Sequence, residues 1–257
     1  MQALPFTAAA VLAAGLAAAG AARADDKDPC AVKPYRPSVS TPVDLTGPGC
    51  LELEVGGLRA TGPGGDARDS LPYTLKLAFD DQWGIRLGGD AWVRQDAGGQ
   101  RAKGGGDTSV VLKHRFGDSP WGLELGEKFP TAGSTLGSGR ADTTLNAIFS
   151  HDLPADLHTD LNLAESRVGL PGGHARGWQT GWAASLGWAP DQQRWGLGAE
   201  FSGTHQASVP ATAQFLFAVS WTWTLIELDV GGARGLNGAS PHDQVFAGMT
   251  LSLGKLF

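Results

Sequence analysis

The chain has 257 residues, with 20 Lys and Arg against 26 Asp and Glu, a formal net charge of −6 at pH 7. An acidic balance of that kind argues against a phosphate backbone as a partner, so no nucleic-acid role is expected. After residue 24 no apolar run approaches the length of a membrane helix, so membrane residence would require a closed barrel of strands.

In chain order, the first element reads as an export signal. Pro5 to Ala21 is almost entirely Ala, Leu, Val and Gly, and Ala22-Arg23-Ala24 forms a small-x-small cleavage site before Asp25-Asp26. The run lacks the usual leading Lys or Arg, and it is short and Ala-rich for a membrane anchor. The expected division is a signal peptide over 1–24, an N-terminal periplasmic or luminal segment over 25–49 and a barrel over 50–257. The Pro-rich segment Asp28 to Gly49 contains Cys30 and runs into Cys50 at the start of the first strand, the two cysteines of the chain. In an exported protein such a pair suggests a disulfide rather than two free thiols. The loop-entropy description makes that closure worth about 3 kcal/mol. A zinc site is not expected, since two cysteines without neighbouring histidines cannot complete four ligands.

From residue 50 onward, turn signals at regular intervals predict about twelve strands. They fall near 50–58, 71–79, 83–95, 106–116, 121–129, 141–151, 155–166, 177–188, 194–203, 211–221, 224–234 and 244–257. Alternation supports them: Leu71, Tyr73, Leu75, Leu77 and Phe79 oppose Thr74 and Lys76, and Trp195, Leu197, Ala199 and Phe201 oppose Gly196, Gly198, Glu200 and Ser202. The connections alternate between short (Asp80–Gln82, Gly117–Pro120, Asp152–Pro154, Ala189–Gln193, Thr222–Trp223) and long (Arg59–Ser70, Asp96–Gly105, Pro130–Arg140, Arg167–Arg176, Thr204–Pro210, Gly235–Asp243). Aromatics gather at the short-turn ends, among them Phe79, Trp83, Trp121, Trp188 and Trp195, as an interface girdle requires. The last strand ends on Phe257, the aromatic terminus that barrel-assembly machinery reads. The fold class expected is therefore all-β: a transmembrane antiparallel up-and-down barrel with short periplasmic turns and longer external loops, in the outer membrane of a Gram-negative bacterium. The competing reading is a soluble β-sandwich with its aromatics in the core.

A barrel of that strand number has a backbone diameter of roughly 24 Å and a free bore of about 10 Å or less. Its inward residues are expected to include Arg86, Asp90, Lys113, Arg115, Glu124, Lys128, Asp160, Arg194 and Glu200. Mixed charge permits two readings, a polar pore whose charges tune selectivity or a salt-bridged, closed interior. For catalysis the pattern offers fragments. Ser150-His151 and His158 lie near one short turn, but no third group completes a triad. His174, His205 and His242 fall in expected external loops and read as solvated side chains rather than metal ligands. No cofactor is expected, and the expected partners are outer-membrane lipid, the barrel-assembly machinery and a small-molecule solute.

One stretch carries a family resemblance. Gly106-Asp107-Thr108 opens a strand into Leu112-Lys113-His114-Arg115-Phe116. The next strand ends in Lys128-Phe129-Pro130-Thr131, followed by Gly137-Ser138-Gly139 and Asp142. This is similar to the exported β-barrel family named for the meta-pathway of phenol degradation, with Ala132 as a small departure after Pro130-Thr131. The early segment Arg36-Pro37-Ser38-Val39-Ser40 also resembles the start of that family. The resemblance implies an outer-membrane channel or transporter linked to uptake of aromatic or other hydrophobic compounds, and it assigns no residue a role. The alternatives are a closed structural or partner-binding barrel and a lipid-modifying enzyme.

Overall fold

The computed structural model describes residues 28–133, 136–137, 139–169, 176–190 and 193–257. The expected signal peptide and His174 lie outside the described residues. The strands are β1 (Cys50–Thr61), β2 (Ala67–Ala78), β3 (Trp83–Ala97), β4 (Gln100–Gly104), β5 (Thr108–Arg115), β6 (Trp121–Phe129) and β7 (Asp142–Leu153). They continue with β8 (Leu157–Gly169), β9 (Arg176–Trp188), β10 (Trp195–Gln206), β11 (Val209–Trp223), β12 (Ile226–Gly235) and β13 (Asp243–Lys255). Each barrel strand pairs antiparallel with its neighbours, and β1 closes on β13 from Cys50–Lys255 to Thr61–Asp243. The short β4 pairs with β3 alone, so twelve strands form the wall and one stands outside it.

Period-two alternation decides what each face carries. Outward positions are apolar and exposed: Leu125 is 53% exposed, and Leu112 and Leu145 flank it on the adjacent strands. Inward positions are polar and covered: Glu52, Glu54, Lys76, Lys113 and Glu200 are all buried. Among the described residues the buried apolar cluster is small, comprising Leu216, Ala218 and Ala233 with Phe246 packed against it. A water-soluble sandwich needs the opposite arrangement, because its stability comes from apolar surface removed from water. With apolar side chains outside and charges inside, the solvent that fits this surface is lipid.

Several strands run past their expected ends. The stretch expected as the loop Asp96–Gly105 folds instead as a hairpin: β3 continues to Ala97 and β4 returns from Gln100. The turn residues Gly98 and Gly99 have φ of 56° and 76°, the pair of positive values that a tight two-residue hairpin turn requires. β1 extends to Thr61, β2 begins at Ala67, and β10 and β11 meet at a turn containing Ser208. Hairpin pairing satisfies the backbone in water as well as in lipid. Ladders therefore continue beyond the apolar belt, where side-chain alternation no longer marks them.

A charge placed at the middle of the belt tests this reading. Leu125→Arg should lower unfolding stability in lipid vesicles by about 2–4 kcal/mol, the cost of a lipid-facing cation at mid-depth. Urea titration followed by tryptophan fluorescence measures it.

Candidate functional site

Residues 28–49 lie inside the barrel, entering from the short-turn end. A disulfide joins Cys30 to Cys50, the first residue of β1, and the Val32 amide donates to the Thr224 carbonyl in the β11–β12 turn (2.9 Å). Apart from one bridge between Pro48 and Ala78 of β2, the segment pairs with no strand, yet its amides still need acceptors. Inward carboxylates and amides of the wall supply them. The Lys33 amide donates to Glu52 (2.8 Å), the Tyr35 amide to Glu54 (2.7 Å), and the Val39 and Ser40 amides to Glu200 (3.0 and 2.8 Å). The Thr41 amide donates to Asn162 Oδ1 (2.8 Å), and Asn162 Nδ2 returns a bond to the Thr41 carbonyl (3.0 Å). The Val43 amide donates to Ser150 Oγ (2.7 Å), whose own hydroxyl donates to Asp160 (2.5 Å). Bonds of this kind to charged acceptors are each worth roughly twice a neutral one.

Two side chains of the segment fix its path. The ammonium groups of Lys76 and Lys113 lie 3.9 and 4.2 Å from the Tyr35 ring centroid, within cation–π range. Lys113 donates to the Tyr35 hydroxyl (2.9 Å) and to the Pro42 and Asp44 carbonyls. Lys76 pairs with Glu52 and Glu54 and donates to the Lys33 carbonyl (2.6 Å). Arg36 meets Asp229 through two bonds of 3.1 and 3.2 Å. Its guanidinium lies over Gly56 and Gly248, where a Cβ would come within 2.5 Å of Nη2.

The stretch Ser38–Pro42 divides the lumen. Val39 and Thr41 line a cavity of about 370 Å³ on the long-loop side. Ser38, Ser40 and Pro42 line one of about 270 Å³ on the short-turn side, and the two cavities share no lining residue.

The nine charged residues singled out in the sequence fall into separate groups. Arg86 and Lys113 both reach Glu124, at 2.8 and 3.8 Å, beneath the larger cavity. Lys128 bridges Asp107 (3.4 Å) and Asp142 (2.5 Å) at its long-loop mouth. Asp90 pairs with Arg68 (2.9 Å) and Arg115 with Asp44 (3.6 Å). Asp160 belongs with Ser150 and His158, and Glu200 with Ser40. Arg194 stands apart, 5.9 Å from the Trp223 ring centroid at the short-turn rim. Glu52, Glu54, Lys76, Asp229 and Asn162 were not singled out, and Ser150 was weighed only as a catalytic fragment. Glu52 and Glu54, alternating with Leu51, Leu53 and Val55, carried the signal that could have found the first pair.

Ser150 and His151 point to opposite faces of β7, since Ser150 is buried against the segment and His151 lies beside Phe149, 6.1 Å between ring centroids. They therefore do not form a nucleophile–base pair. His158 bonds Asp152 (2.6 Å) and Asp160 (3.1 Å), so Ser150 faces a carboxylate rather than an imidazole. Among the described residues no group of three or more His, Cys, Asp and Glu could hold a metal ion.

No family model matches the chain, and no curated protein matches it in sequence. Among solved structures it is similar to an outer membrane channel from Pseudomonas putida F1, with a TM-score of 0.60 at 15% identity over 86% of this chain and 100% of that one. It is also similar to the NanC porin (0.53, 11% identity, 79% of this chain and 99% of that one) and to the CymD monoaromatic hydrocarbon channel (0.50, 10% identity, 82% and 90%). At these identities the likeness establishes the barrel fold.

Burial pushes the Tyr35 phenol well above its ordinary value, with the Arg86 charge opposing and nearby carboxylates adding to the rise. The docked segment holds the neutral phenol. Its docking is therefore fully stable below the unfolded tyrosine value of about 10 and weakens as pH rises past it. In a Tyr73→Phe background, tyrosinate absorbance should show Tyr35 titrating above about 10 in the folded protein and near 10 once it is denatured.

Proposed function

We propose that this chain is an outer-membrane channel for a small solute, occluded by its own N-terminal segment. The observation that carries this reading is the closed barrel whose lumen is crossed by a hydrogen-bonded segment with a cavity on each side. A wall built only for rigidity needs no such space. Outer-membrane residence is supported by the apolar outer belt and by the disulfide, which forms in an oxidising compartment. In this orientation the short turns face the periplasm and the long loops face outward.

The larger cavity bears on the solute class. Four of its five charged residues are matched, Arg86 with Glu124 and Lys128 with Asp142, and the fifth, Glu127, accepts from the Thr143 hydroxyl (2.6 Å). Between them lie Val39, Val111 and Ala164 together with hydrogen-bonding Ser109 and Asn146. A neutral solute with an apolar body and one or two polar groups suits that lining better than an ion. The same class fits the resemblance to the phenol-pathway family and the likeness to the CymD monoaromatic hydrocarbon channel.

Planar-bilayer conductance of the refolded mature protein tests the reading. Oxidised wild type should show small or infrequent steps. Cys30→Ser, and separately Glu200→Ala combined with Asn162→Ala, should raise conductance several-fold by freeing the segment. Silence in all variants that still show heat-modifiable mobility would favour the closed structural barrel instead.

A further inference from the structure

Four positions on the outer wall, at the long-loop end, form one cross-strand row. Arg59 of β1 faces Asp69 of β2, Asp69 faces Arg94 of β3, and Arg94 faces Lys103 of β4. Neighbouring members stand about 4.8 Å apart, the spacing between strands. Arg59 pairs with Asp69 (3.4 Å), and Arg94 donates to Asp96 (3.0 Å). The row remains net positive, and it sets Arg94 directly opposite Lys103. Like charges opposed on an antiparallel pair destabilise it unless an anion lies between them. Two further details leave this row with unused donors. Arg94 Nε is buried with no hydrogen-bond partner among the described residues. Lys103 is exposed, and no ion pair among the described residues engages it.

Directly below this row the wall is interrupted. Pairing of β1 with β2 passes from Val55–Tyr73 to Leu58–Ser70 without joining Gly56 and Gly57 to Leu71 and Pro72, and the β2–β3 register shifts at the same place. Pro72 has no N–H to contribute to the ladder, and no atom lies within 4 Å of where a Gly57 Cβ would stand. The result is a groove of about 470 Å³, with Leu71, Trp92 and Val245 along it and Arg59 and Asp69 at its upper edge. Trp92 stands two residues below Arg94, about 7 Å along the strand. An aromatic with cations just beyond it marks the depth of lipid headgroups.

We propose that this groove binds one phosphorylated lipid of the leaflet on the long-loop side, its phosphate among Arg59, Arg94 and Lys103 and an acyl chain along Gly57 and Trp92. Charge complementarity selects an anionic headgroup, and the apolar groove continuous with it selects a lipid over a free anion. The assignment rests on the outer face of the barrel and holds whether or not the lumen conducts.

Native mass spectrometry of the mature chain in mild detergent tests it, with diphosphoryl lipid A, dephosphorylated lipid A and inorganic phosphate as probes. Wild type should retain one diphosphoryl lipid with an apparent Kd about tenfold below that for the dephosphorylated form. Arg94→Gln with Lys103→Gln should abolish that preference, and Lys103→Gln alone, at an exposed edge position, should reduce it with the fold intact. Gly57→Leu, which fills the groove, should weaken retention of both lipids. Heat-modifiable mobility reports folding of each variant. Equal retention of the two lipids by wild type, an unchanged preference in the double variant, or displacement of the lipid by millimolar inorganic phosphate would overturn the proposal.

Discussion

Every backbone N–H and C=O at membrane depth must find its partner within the chain, and the β1–β13 seam is where that requirement is completed. Its pairing runs without a gap from Glu52–Ser252 to Thr61–Asp243, after one shift near Leu51. Once the seam closes the twelve-stranded wall has no exposed edge, and its side chains have two destinations only. Leu53, Val55, Met249 and Leu251 take the lipid side, while Glu52, Glu54, Thr250 and Ser252 take the lumen. A shift of one residue would exchange every one of them, so the ladder and the distribution of charge enforce each other.

The charges that this places inside are costly to remove from water, several kcal/mol for each ion, and incomplete pairing leaves much of that cost standing. The N-terminal segment completes the pairing. It gives Lys113 three oxygen acceptors and Lys76 one, and it brings donors to Glu52, Glu54 and Glu200. Without it, water would have to take each of these roles. The wall therefore holds the segment chiefly through its backbone, so position along the lumen is set by where inward acceptors stand. Side chains add to this at Tyr35, Ser40 and Arg36, the last held by Asp229 and admitted by the absence of side chains at Gly56 and Gly248.

How much of this was legible follows from what alternation can report. Strand existence was legible wherever a strand has one lipid face, as in Leu71–Phe79 or Trp195–Phe201. Strand ends were not, because beyond the belt both faces are polar; β4 and the Gly98–Gly99 turn were hidden in what looked like a glycine-rich loop. Inward charge was legible as a property of parity, which is why Arg86, Lys113, Glu124 and Glu200 could be named. Which inward residue meets which was not legible. The Glu200–Ser40 and Arg36–Asp229 contacts join residues more than a hundred positions apart, and the partner is a segment with no periodicity of its own. Asn162 and Ser150 are short polar residues that could equally have faced empty lumen.

The disulfide then constrains how such a segment could leave. Cys30 and Cys50 lie at the same end of the barrel, and Gly49 continues directly into β1. Residues 31–49 are thus a loop with both feet at the short-turn rim and its middle, Ser38–Pro42, across the lumen. A loop tied at both ends cannot straighten out through the barrel; it can leave only by folding back toward the rim it entered from. That movement breaks the Glu200 and Asn162 contacts while the Cys30–Cys50 closure keeps the loop near its site, so the cost in chain entropy of docking again is small. Reducing the disulfide leaves the docked contacts in place but lets the undocked segment explore far more conformations. The bridge therefore acts on how completely the lumen recloses, and the inward carboxylates act on how readily it opens.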